Sequence, residues 1–165
     1  MRNIFILLVA LFLANSANSQ EFIGEFKYWG VFKTNQDGKN VCYATSVPYN
    51  KTGNYRKRGE PYVLVTLRGN NQAEVSVNSG FPYKENSEVE ISIDRKHNFR
   101  FFTSAQTPQM AWAKDNSTDN QIVQRMKNGN NLTTKGTSKI GTYATDTYRL
   151  AGFTAAVNKM KEVCK

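Results

Sequence analysis

Alternation of apolar and polar positions is the strongest signal along this chain. In "EVEISID", Val89, Ile91 and Ile93 alternate with Glu88, Glu90, Ser92 and Asp94, the two-residue period of a strand with one face on a core and one in water. Segments rich in β-branched and aromatic residues, most bounded by Gly, Asn, Asp or Pro, predict further strands over residues 29–32, 41–47, 62–67, 74–77, 99–102, 132–135 and 145–150. "YVLVTL" is apolar without a break, as in a strand covered on both faces. Two stretches change period. Between Ser117 and Gly129, Ile122, Val123 and Met126 form a short helical stripe, with Thr118 and Gln121 spaced as a capping box and Gly129 placed to stop the helix. From Phe153 onward, Phe153, Ala156, Val157, Met160, Val163 and Cys164 fall on one face of a second helix.

Many strands at turn-marked intervals, with few helices between them, predict a mainly β, single-domain antiparallel β-sandwich with a short internal helix and a C-terminal helix. No linker, repeat or low-complexity segment divides the chain. Trp29, Trp112, Phe101, Tyr148 and Phe153 read as core residues, since large aromatics dominate burial. Asp146 shares strand parity with Tyr148 and Leu150. It therefore points inward, where a carboxylate needs backbone donors or a basic partner, and we expect a structural hydrogen-bonding role.

The first residues change the setting. Met1-Arg2-Asn3 is a short basic lead, Ile4–Ala14 is an apolar run of eleven residues, and Ala17 and Ser19 are small residues ahead of a cut before Gln20. That pattern is a secretory signal peptide over residues 1–19, the run being far short of the roughly 20 residues a membrane span needs. The mature domain is then residues 20–165, and its location is the periplasm or the exterior. In such a compartment Cys42 and Cys164, the only cysteines, are expected to form a disulfide that pins the last helix to an early strand.

Charge comes next. The formal net charge is +9, and removing Arg2 leaves +8. An exported chain rarely meets nucleic acid, so the partners this balance favours are an anionic envelope or host-surface polymer, or an acidic envelope protein. The densest basic run is "KTGNYRKRG": Lys51, Arg56, Lys57 and Arg58, with Tyr49 and Tyr55 beside them, offer point charges, planar donors and flat apolar surface. They form a candidate anion- or partner-binding loop.

Catalytic patterns are scarce. The single histidine, His97, falls in a hairpin turn and is expected to be exposed there. A disulfide between the two cysteines leaves no thiol nucleophile, and no Cys/His cluster with metal-ligand spacing is present, so neither a metal nor a cofactor is indicated. Glycoside hydrolysis needs only two carboxylates. Its candidates, Glu88, Glu90 and Asp94, share the solvent face of one strand and read as a charged sheet surface. The reading is a non-enzymatic binding protein, with two alternatives: an envelope-polymer hydrolase using surface carboxylates, or a structural subunit of an envelope assembly.

One resemblance covers nearly all of the mature chain. "KYWGVF", "VCYATSVP", "RGEPYVLVTLR", "EVSVNSGFPYKENSEVEISID", "MAWAKD", "MKNGNNLTTKGTS" and "DTYRLAGFTAAVNKMKEVC" resemble, in order and spacing, the invasion-associated locus B family of Gram-negative bacteria. The resemblance implies an immunoglobulin-like β-sandwich with a C-terminal helix, exported to the envelope, without established enzymatic activity, and connected with host-cell entry. One departure is Lys139, where the family tends to have Arg; a lysine does not reproduce a bidentate guanidinium contact.

Overall fold

The computed structural model describes residues 20–68 and 72–164; residues 1–19, the segment expected to be a signal peptide, lie outside them. Among the described residues, eleven strands and two helices follow in chain order: β1 Glu21–Phe26, β2 Trp29–Gln36, β3 Lys39–Ser46, β4 Asn50–Gly53, β5 Tyr62–Arg68, β6 Gln72–Asn78, β7 Glu88–Ile93, β8 His97–Ser104, β9 Thr107–Trp112, α1 Asn116–Asn128, β10 Asn131–Thr137, β11 Tyr143–Arg149 and α2 Phe153–Val163. All strands join one antiparallel sheet in the order β1-β2-β3-β5-β6-β9-β8-β7-β10-β11-β4. The mainly β, single-domain architecture with an internal and a C-terminal helix is the expected one.

Its layers come from curling. The sheet turns over far enough for Trp29 of β2 to donate its indole N–H to the carbonyl of Arg149 on β11, 3.1 Å away, although these strands lie near opposite ends of the order. Inward-facing residues of both halves meet in one core: Trp29, Val31, Val63, Val65, Val75 and Val77 from one side, Val89, Ile91, Ile93, Phe101, Leu132 and Tyr148 from the other. Each such side chain, fully buried, contributes about 1.5 to 3 kcal/mol. The apolar stripes of α1 (Ile122, Val123, Met126) and α2 (Phe153, Ala156, Val157, Met160) close onto the same core, with the Phe153 ring 4.7 Å from that of Trp29.

Several expectations need correction. β1, β4 and β9 carry little alternation and lie outside the predicted strands. Trp112 is only half-buried, because on β9 the inward position belongs to its neighbour Ala111. The cap of α1 is Asp115, whose carboxylate accepts from the Thr118 backbone N–H at 2.8 Å, so Thr118 is the capped residue rather than the cap. Gly129 ends that helix in extended conformation (φ −97°, ψ 170°). It is a glycine for lack of room: a Cβ there would lie 2.7 Å from a methyl group of Ile93.

Candidate functional site: a basic loop tied to a buried ion pair

The connection from β3 to β5 carries the basic run, and its shape follows from three anchors. First, β4 pairs with β11 in antiparallel register, Asn50 opposite Thr147 and Gly53 opposite Ala144, which makes it the last strand of the sheet. All four of its residues are exposed, so hydrogen bonds rather than burial hold it: the backbone ladder to β11, with the Thr52 hydroxyl donating to the Thr145 carbonyl at 3.3 Å. Second, Gly59 N–H donates to the Gly80 carbonyl at 2.8 Å. The chains approach so closely there that a Cβ on Gly80, which also has φ +76°, would stand 2.1 Å from the Gly59 oxygen.

The third anchor is Arg58. Its side chain is 3% exposed and that of Asp146 is fully buried. The guanidinium grips the carboxylate through both Nη atoms, Nη1 to Oδ2 at 2.7 Å and Nη2 to Oδ1. Nη1 also donates to the Ser79 carbonyl at 2.7 Å and Nη2 to the Tyr55 hydroxyl at 3.2 Å, while the Tyr55 ring lies 4.3 Å from the guanidinium carbon. Burial works to lower the pKa of Arg58, but the hydrogen bond and charge of Asp146, with Tyr55 behind them, outweigh it and hold it above the ordinary arginine value. Beside the pair, Ser79 Oγ and Tyr83 Oη sit 2.7 Å apart, and burial pushes the phenols of both Tyr83 and Tyr148 well above the usual tyrosine range.

The candidate residues thus divide. Arg58 is removed from the binding set: a fork already engaged by Asp146 and sealed from water offers nothing to an outside anion. Asp146 gains the basic partner that its inward parity called for. Lys51 is engaged with Glu60 at 2.7 Å, and Tyr55 packs partly into the core. Arg56 and Lys57 remain as exposed cations between the two anchored residues Tyr55 and Arg58. Tyr49, at the other end of β4, turns toward Arg149, whose guanidinium carbon stands 4.2 Å from its ring centre and 5.6 Å from that of Tyr28. Arg149 and Tyr28 were not singled out in the sequence, where they lie 121 positions apart with no shared pattern.

Cys42, fully buried on β3, is bonded to Cys164 at the end of α2, with Cα atoms 6.0 Å apart. His97 opens β8 and is half-buried, placed by a turn in which Asp94 and Arg95 have φ of 52° and 56°. The carboxylates considered for hydrolysis have separate occupations. Glu88 pairs with Arg100 at 3.0 Å and Glu90 with Lys135 at 3.9 Å. Asp94 is not on the strand face at all: in the turn, it accepts the backbone N–H groups of Asn130 and Asn131 at 3.1 and 2.9 Å. Among the described residues no group of three His, Cys, Asp or Glu could hold a metal, and no helix is long and apolar enough to cross a membrane.

The profile of the family described as "Invasion associated locus B (IalB) protein" matches residues 29–161. The chain belongs to this family. No curated protein matches it. Among solved structures, it is similar to the crystal structure of invasion associated protein b from Bartonella henselae, with a TM-score of 0.63 at 17% identity over 85% of this chain and 95% of that one. At such identity the likeness concerns the fold, and invasion associated locus B membership rests on the sequence match.

Proposed function

We propose that this invasion associated locus B protein is exported with removal of residues 1–19 and works without catalysis in the envelope or outside the cell, by binding an anionic surface polymer. The observation that carries the reading is the mounting of Arg56 and Lys57. Both are exposed, and both stand between side chains fixed to the molecule, Tyr55 through its packing and Arg58 through Asp146. A loop tied at these points loses less conformational entropy on binding than a free basic tail would. The distribution of the acids supports a non-enzymatic role, since Glu88, Glu90 and Asp94 each serve a local cation or backbone amide. The family's association with invasion makes a host-surface polymer one of the anionic partners to test.

The test is a pair of substitutions that avoids the buried ion pair. Arg56→Gln with Lys57→Gln should leave the melting temperature unchanged. It should weaken binding to lipopolysaccharide or a sulfated glycan, and flatten the fall in affinity with rising salt, because exposed charges are screened beyond about 8 Å at physiological ionic strength. Full affinity with the same salt dependence in the double variant would remove the loop from the function.

A further inference from the structure

We propose that Tyr28, Tyr49 and Arg149 form a second, separate site that takes a single acidic sugar residue, its carboxylate or other oxyanion on the guanidinium and its C–H face on an exposed phenol ring. The inference rests on the reading of this protein as a binder of anionic polymers, and it names the unit such a polymer presents.

Three segments meet here: the turn between β1 and β2 brings Tyr28, the connection after β3 brings Tyr49, and the end of β11 brings Arg149. Tyr28 is 50% exposed and Tyr49 51%. About half of each tyrosine is thus open to a ligand. Tyr49 is fixed by its N–H to the Thr147 carbonyl at 3.0 Å and by its hydroxyl to Asn131 Oδ1 at 3.2 Å. The Arg149 backbone is fixed by the indole of the buried Trp29. Its side chain is exposed and, among the described residues, has no carboxylate within ion-pair distance.

That combination narrows the ligand. The guanidinium carbon lies over the Tyr49 ring, 4.2 Å from its centre; a guanidinium packed by its face can still offer its N–H edges to a planar, bidentate acceptor. Lys27, exposed in the adjoining turn, adds a second positive charge on the same β1–β2 corner. A free inorganic anion would use the charge and ignore the rings; a neutral sugar would use the rings and ignore the charge. An acidic sugar uses both, and a guanidinium carbon 4.2 Å from one ring centre and 5.6 Å from the other offers charge and apolar face side by side.

The probes are an oligogalacturonate, its methyl ester and inorganic phosphate, read by the ring resonances of Tyr28 and Tyr49. The oligogalacturonate should shift both rings saturably. The methyl ester and phosphate should bind at least about tenfold more weakly, the factor that corresponds to losing one of two contributions of about 1.4 kcal/mol. Arg149→Gln should cost a similar factor, Arg149→Lys a smaller one because it keeps the charge without the fork, and Tyr49→Ala should reduce affinity while Arg56→Gln with Lys57→Gln leaves these shifts in place. Equal affinity for the methyl ester or for phosphate, or an Arg149→Gln variant that binds as the parent does, overturns the site. If polymer binding is instead lost only in the Arg56/Lys57 variant, the proposed function stands and this site falls; if it is lost only in the Arg149 variant, the site stands and the basic loop falls.

Discussion

Arg58 and Asp146 are 88 positions apart, and each is the other's buried counter-charge. Taking either away leaves the other charged and sealed from water, which typically costs 3 to 5 kcal/mol. We expect Asp146→Ala to lower unfolding free energy by about 3 to 5 kcal/mol, measured by urea denaturation, and the double change Arg58→Met with Asp146→Leu to recover most of it. A double variant no more stable than the single one would mean that the pair is needed for something other than charge balance. Asp119 supplies a second residue-scale expectation. It is 4% exposed and accepts the Val75 N–H at 2.9 Å. Burial pushes its carboxyl up to about 6, with the Val75 hydrogen bond opposing and the charges of Glu74 and Asp115 adding to the rise. Its folded value thus exceeds the unfolded one of about 3.9. The fold therefore favours the protonated form, and stability falls as pH climbs from about 4 through about 6, by up to roughly 3 kcal/mol for this group. Asp119→Asn keeps the acceptor for Val75 and should abolish that slope; parallel pH profiles for the two proteins would refute it. The parity of Asp146 was legible from alternation with Tyr148. Its partner was not, because a run of exposed-looking cations gives no sign that one of them points the other way.

At the scale of elements, what could be read tracks side-chain burial. β7 shows a clean buried-exposed alternation, and that alternation is present in its sequence. β4 buries nothing and is made a strand only by the backbone of β11. β9 begins with Thr107-Pro108-Gln109, polar or lacking a donor, and β1 has Gly24 in its middle and a register irregularity between Phe22 and Gly24. Propensity argues against a strand in both. The helices were legible from their stripes, since both lay one face on the core. α2 is held by that face and by its covalent tie to β3, and the closed loop spans 122 residues. Chain entropy values such a loop at roughly 5 kcal/mol. Replacing Cys42 and Cys164 together by Ala should lower stability by a few kcal/mol on the same model and should expose the α2 end first, as faster amide exchange over residues 153–163. Uniform exchange along the chain would show that the apolar face suffices.

For the molecule as a whole, the family likeness and the fold carry different information. A TM-score of 0.63 at 17% identity means that most aligned positions differ while the fold is kept. Patterning survives such change because it demands only apolar or polar character at a position, whereas binding demands particular atoms. This is why the patterned strands and both helices could be read from the chain but the gathering of Tyr28, Tyr49 and Arg149 at one corner could not. The disulfide also has a consequence in time. Cys42 is made early and Cys164 only after every strand has been synthesised. During the interval the first thiol has no native partner, so a bond made too soon can only be a wrong one, to another molecule. The order of residues along the chain therefore sets the earliest moment at which this link can form: after the last strand and α2 have been made.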